Sequence, residues 1–243
     1  DNVIIENVSS SGNGAGIFMN YGASVTLQNS VIRDNVSNMK GGGIIVAGQS
    51  TLNIINTQIN NNSAQDGGGI YIQEGSSSTI NNSEISNNIA TGGGYQNGGG
   101  VFIESSSTET NTIVNIENSL IANNICESVN SHGGGVSVLN QGAQLNIFNT
   151  IIRGNESHTG GGIYSYQGAV NLEYCEVSLN VANNDGGGVT FSGSGGMGYN
   201  ITNCTFYDNE ALANVAKNGI NITSPNSSNY LNILNTIVWE NIF

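Results

Sequence analysis

Clusters of three glycines recurring about every 26 residues, a short apolar alternation after each cluster, and two asparagine columns six residues apart predict an all-β fold. That fold is a right-handed, single-stranded parallel β-helix, a solenoid of about eight coils with three short strands each. A unit such as Gly41 to Asn62, GGGIIVAGQSTLNIINTQINNN, has no way to bury its apolar side alone and gains stability only by stacking on copies of itself. Residues 1–243 are expected to form a single β-helix domain, either an excerpt of a longer chain or a unit of an end-to-end assembly.

The glycine clusters set the phase. The apolar residue that follows each of them falls at Ile17, Ile44, Ile70, Val101, Val136, Ile163, Val189 and Ile220, spaced by 27, 26, 31, 35, 27, 26 and 31 residues. Gly14-Ala15-Gly16 and Asn218-Gly219 are degraded versions of the cluster, whose plain role is to allow positive φ and close approach of coils at a corner. Alternations such as Ile44 and Val46, Ile70 and Ile72, or Val136 and Val138 read as a first strand with one face buried.

A second strand follows, as in Leu52-Asn53-Ile54, Val114-Asn115-Ile116 and Leu145-Asn146-Ile147. It ends at an asparagine, Asn29, Asn56, Asn82, Asn118, Asn149, Asn203 or Asn235, with Tyr174 substituting once. Six residues later comes the second asparagine column, Asn35, Asn62, Asn88, Asn124, Asn155, Asn180, Asn209 and Asn241. Three residues before each stands an apolar residue, from Ile32 to Val238, which marks a third strand. Asn7 and Asp1 are assigned to the second and first columns at the start of the chain. Both columns are expected to form ladders, each amide bonding the next coil and the backbone freed by the bend. At about 4.8 Å per coil, eight coils would stand about 38 Å tall.

Composition narrows the function. Only 9% of the residues are charged and the net charge is −13, with Arg33, Lys40, Arg153 and Lys217 the only permanent cations. Such a surface repels nucleic acid and anionic membrane. No stretch approaches the ~18–20 apolar residues of a membrane-spanning helix, so no membrane insertion by this segment is expected. The missing initiator Met suggests a processed chain or an excerpt. Uncapped coil ends expose strand edges, which further coils or self-association are expected to cover.

The Gly-Gly-Gly-Ile block Gly67–Ile70 and the Phe-x-x-Asn block Phe206–Asn209 resemble the repeats of chlamydial polymorphic outer membrane proteins. The segment Asn235–Asn241 is similar to repeats of large secreted bacterial β-helix proteins that carry surface anchors. The resemblance implies a secreted or cell-surface setting in bacteria and a structural or adhesive role in a surface, appendage or sheath. Parallel β-helices also resemble pectate lyases and polygalacturonases, which keeps carbohydrate binding or polysaccharide cleavage as the alternative.

Cleavage would require converging chemistry. Arg33 and Arg153 share a column but stand four coils, about 19 Å, apart. The acids Asp34 with Asp208 and Asp66 with Asp185 are also coils apart, and a corner at Tyr174 separates Glu173 from Glu176. His132 and His158 lie before glycine clusters on adjacent coils, near Glu127 and Glu156, and read as solvated. No catalytic residue, metal site or cofactor is therefore assigned. Cys175 and Cys204 fill a slot that holds Ser or Thr elsewhere and read as buried thiols.

Candidate contacts for a glycan or a cell-surface protein are the aromatics expected to point outward after the glycine clusters: Phe18, Tyr71, Phe102 and Tyr164, with Tyr166 two places on. Any specialised site is expected beside the enlarged loops Ile89–Asn97, Glu104–Thr112 and Ile125–His132.

Overall fold

A computed structural model describes residues 1–92, 97–105, 111–193, 198–213, 218–223 and 230–241. Residues 93–96 and 106–110, within two of the enlarged loops, lie outside that set. The described chain is built from strands, with no helix among the described residues, and every named strand pairs in parallel with its equivalent one coil away. The result is a parallel β-helix of four sheets.

In chain order within a coil, sheet 1 follows the glycines and runs from Ile17–Met19 to Ile220–Thr223. Sheet 2 runs from Ser24–Gln28 to Tyr230–Leu234, and sheet 3 from Ile4–Glu6 to Ile237–Trp239. These are the three expected strands of each coil. Sheet 4, from Ser9–Ser10 to Glu210–Ala211, is an addition of mostly two-residue strands between the second asparagine and the glycines. A run that short has too few residues to show a period.

The register is the one the glycine phase predicts: Ile17, Ile44, Ile70, Val101, Val136, Ile163, Val189 and Ile220 stack in one column. The first coil is shifted by one residue from expectation at its sheet 3 end. Ser9 pairs with Val36, so Val8 rather than Asn7 stands opposite Asn35. Ile4 pairs with Val31, so Asn2 rather than Asp1 stands opposite Asn29.

The bore is filled by apolar columns, among them Leu52, Ile54, Ile59, Ile70 and Ile72 at 0% exposure. Toward the last coils Phe191 and Tyr199 stack at 4.3 Å between centroids, and Phe206 replaces the isoleucine of sheet 3. The slot of Cys175 and Cys204 lies at the bend into sheet 3. There each hydroxyl or thiol accepts the backbone N–H of the coil before, as Thr57 does from Ser30 and Cys204 from Cys175. All three cysteines are free and buried.

The three glycines of a cluster do two jobs. The first, Gly133 for example, has φ +65°, a left-handed conformation that costs L side chains about 1–2 kcal/mol. The second and third face the neighbouring coil's backbone so closely that no Cβ fits; a Cβ on Gly135 would lie 2.6 Å from the Gly162 oxygen.

Candidate functional site

Two bends flank sheet 3, and both demand left-handed backbone. In the first, Asn29, Asn56, Asn82, Asn118, Asn149, Tyr174, Asn203 and Asn235 have φ between 45° and 55°. Asparagine tolerates this region better than other L residues. In the second bend the left-handed residue precedes the ladder asparagine: Asn61 (φ 54°), Asn87 (φ 54°), Asn123 (φ 55°) and, unusually, Leu179 (φ 56°). Asn7 (φ 59°) is the first member of that column, level with Asp34.

The two asparagine columns of the sequence therefore have different roles. The second, Asn35 through Asn209 and on to Asn241, is a continuous ladder. Asn35 through Asn209 are 0% exposed, and each Nδ2 donates to the next Oδ1 at 2.9–3.0 Å. The same Nδ2 also bonds a backbone oxygen of the coil before, as Asn124 does with Ile85 at 3.0 Å. The first column is largely exposed and only intermittently linked: Asn56 donates to Asn29 at 2.6 Å and Asn149 to Asn118 at 2.8 Å, whereas Asn118 turns to Asn81.

The proposed aromatic contact set does not assemble. Phe18, Tyr71, Phe102 and Tyr164 do lie outside the bore in one column of sheet 1, together with Ile45. Yet Tyr71 and Phe102 are 0% exposed, so neither offers a face to a sugar ring. They form a second small core with Ile45, Leu139 and Tyr164, and the His132 ring covers Tyr164 at 4.2 Å. Phe18 and Tyr166 remain exposed but about five coils, some 24 Å, apart. The sequence places these rings outside the bore but cannot reveal what lies over them.

What covers Tyr71 is a cluster of charged side chains. Lys40 Nζ donates to the Tyr71 hydroxyl at 2.6 Å, that hydroxyl donates to Glu104 Oε2, and Lys40 lies 3.8 Å from the same carboxylate. Asn97 Nδ2 donates to Asp66 Oδ1 at 3.3 Å beside them. Burial, then the Glu104 charge, pushes the Tyr71 phenol well above its ordinary range. The three groups satisfy one another across successive coils, an arrangement that fastens the loops of Lys40 and Glu104 over the aromatic column. Among these residues, Lys40, Asp66 and Glu104 were not in the sequence-derived contact set; their only signal is position, next to a glycine cluster or an enlarged loop.

Asp66 is the titrating member. Burial raises its carboxyl from 3.8 to about 6, with Lys40 opposing and Glu104 adding to the shift. A carboxyl raised in the folded state holds its proton more tightly there than when unfolded, so its contribution to stability is greatest below pH 4 and falls as pH rises through about 6. Two pH units correspond to about 3 kcal/mol before solvent screening, so Asp66→Asn should gain about 1–2 kcal/mol over the wild type at pH 8. At pH 4 the gain should vanish. Thermal melts at the two pH values decide it; equal effects at both would exclude Asp66 as the titrating group.

The other candidate groups stay apart. Arg33 pairs with Glu6 at 2.6 Å, and Arg153 is four strands away in the same column. Glu176 accepts from Tyr207 Oη at 2.9 Å in sheet 3, while Glu173 ends a strand of sheet 2 beyond the bend at Tyr174. Among the described residues no group of three or more His, Cys, Asp or Glu gathers in a metal-holding arrangement.

A third asparagine column escaped the sequence reading. Asn115, Asn146, Asn171, Asn200 and Asn232 line the outer face of sheet 2, each later amide donating to the one before at 2.6–2.9 Å. Its signal was the polar residue between the two apolar ones of the second strand, which alternation alone presents as an ordinary solvent-facing position.

A family model described as a right-handed beta helix region matches residues 16–177, two thirds of the chain. No curated protein matches the sequence. No solved structure matches it either.

Proposed function

The chain belongs to the right-handed β-helix family, and we propose that it serves as an extracellular scaffold of a bacterial surface, appendage or sheath, with a structural or adhesive role. The observation that carries this reading is the buried asparagine ladder, unbroken from Asn35 to Asn241, which ties every coil to the next and makes a rod of the whole. Such a rod holds its outer sheets at fixed spacing, as a spacer or display element requires. The surface setting is supported by the resemblance of Gly67–Ile70 and Phe206–Asn209 to surface-protein repeats and by a low content of charge, 9%.

The reading is non-enzymatic. In the Lys40–Tyr71–Glu104 cluster the Tyr71 hydroxyl accepts from Lys40 and donates to Glu104, and the phenol's raised pKa makes it a poor base near neutral pH. Antibodies raised against the purified chain should label intact cells of the source organism, and protease added outside should remove the signal. Recovery of the protein only from the cytosol would overturn the proposal.

A further inference from the structure

Sheet 2 carries on its outer face a groove that the scaffold role leaves unused. It has a volume of about 210 Å³ and is lined by Asn115, Asn146 and Asn171, by Glu117 and Glu173, and by Phe148 with the adjoining Ile147. Register places Phe148 between Glu117 on one coil and Glu173 on the next, beside the column of amides. Phe148 is 42% exposed, and Tyr174, 53% exposed, meets it edge to face at 5.5 Å.

We infer that this groove binds a neutral polysaccharide running along the solenoid axis, with a sugar ring against Phe148. Three features of the lining point to that class. An exposed aromatic ring offers an apolar surface of the size of a pyranose face, and covering it removes that surface from water. The ladder spends one of the two amide hydrogens of Asn146 and of Asn171, so each keeps a second donor; the Asn146 oxygen is filled by Asn171 and Gln144, whereas the Asn171 oxygen, which accepts from Asn200, has a second lone pair for a hydroxyl. Glu117 and Glu173 add charged acceptors, which bind hydroxyl donors more strongly than neutral ones do.

The repeat of the site argues for a polymer. Amides recur at each coil, about 4.8 Å apart, from Asn115 to Asn232, so a ligand with a regular repeat can use several rungs. Charge selects among polymers: two carboxylates in the groove and a net charge of −13 oppose a polyanion such as pectate. The inference deepens the carbohydrate-binding alternative, on residues other than the buried Tyr71 and Phe102, and does not depend on the scaffold role.

Affinity electrophoresis of the whole chain in gels containing galactomannan, xyloglucan or soluble β-glucan tests it, with pectate and polylysine as charged probes. At least one neutral polysaccharide should retard the wild type, and Phe148→Ala should weaken that retardation tenfold or more. Glu117→Gln/Glu173→Gln should weaken it several-fold, and Phe18→Ser, an exposed aromatic far from the groove, should leave it unchanged. Circular dichroism and melting temperature establish that Phe148→Ala still folds. Retardation by none of the neutral polymers, or retardation indifferent to Phe148→Ala, overturns the inference. So does binding of polylysine alone that is lost with the two glutamates, which would assign the groove to a cationic partner. Any of these negative results leaves the surface-labelling experiment, and with it the scaffold reading, untouched.

Discussion

Replacing Asn124 with alanine is expected to destabilise the solenoid by about 3–6 kcal/mol, a large share of the stability of a natural domain. Asn124 is 0% exposed and sits mid-ladder. Its Oδ1 accepts from both the backbone N–H and the Nδ2 of Asn88, at 3.0 and 2.9 Å. Its Nδ2 donates to the Ile85 oxygen and to Asn155, both at 3.0 Å. Alanine leaves the two donors of Asn88 and the Ile85 carbonyl short of a partner in a dry interior, and each such group costs about 1–3 kcal/mol. Asn155 fares better, because the backbone N–H of residue 124 still reaches its Oδ1.

The same substitution at Asn118, six residues earlier, is the control that gives this prediction its content. Asn118 is exposed, with φ 50°, so alanine there costs about 1 kcal/mol for the left-handed backbone and little else. Denaturant unfolding of the two variants should separate them by at least about 2 kcal/mol. Similar losses would mean that water replaces the Asn124 side chain and that the inner ladder holds the coils no better than the outer one.

These two asparagines also mark where the sequence stops being readable. The period, the strands and the stacking of Ile17 through Ile220 follow from spacing alone, because a column of β-branched residues at fixed phase has few ways to be buried. Asn118 and Asn124 are equally visible in the sequence, but which amide turns inward is decided by the bend, where residue 123 rather than 124 takes positive φ. The first coil slipped by a residue for a related reason: Asn7 matches the ladder type, yet the pairing of Ser9 with Val36 puts it in the left-handed column beside it.

The candidate sites were less legible than the rod. Tyr71 and Phe102 share a strand phase with the exposed Phe18, yet Tyr71 is covered by Lys40 and Glu104 from neighbouring coils, as Tyr164 farther along the column is by His132. Phe148 was hidden differently. Its column also holds Gln28, Ile55, Asn81, Glu117, Glu173, Thr202 and Leu234, a mixture with no regular pattern, and the groove exists only through the local meeting of Phe148 with two glutamates and the amides. What repeats builds the solenoid, and what breaks the repeat decorates it.

The strictest part of the repeat should be the least forgiving, and Gly134→Ala tests that. A Cβ on Gly134 would lie 2.5 Å from the Glu156 oxygen, 2.6 Å from the Glu156 nitrogen and 2.6 Å from the Gly161 oxygen, all of them backbone atoms of the next coil. No rotamer relieves such a contact. The coils would have to part at the corner where Gly134 donates to the Gly160 oxygen and Glu156 N–H donates to the Asn124 oxygen beside the sheet 4 ladder. Overpacking of an ordinary core costs about 1–3 kcal/mol because side chains yield; here only backbone can, so a loss above about 4 kcal/mol, or failure to accumulate folded protein, is expected. Gly12→Ala, where nothing lies within 4 Å, should stay within about 0.5 kcal/mol of the wild type. Soluble yield and unfolding midpoints of the pair provide the measurement. A Gly134→Ala protein as stable as Gly12→Ala would show that the corner can open by several tenths of an ångström without loss, and that the glycines are required for their φ values alone.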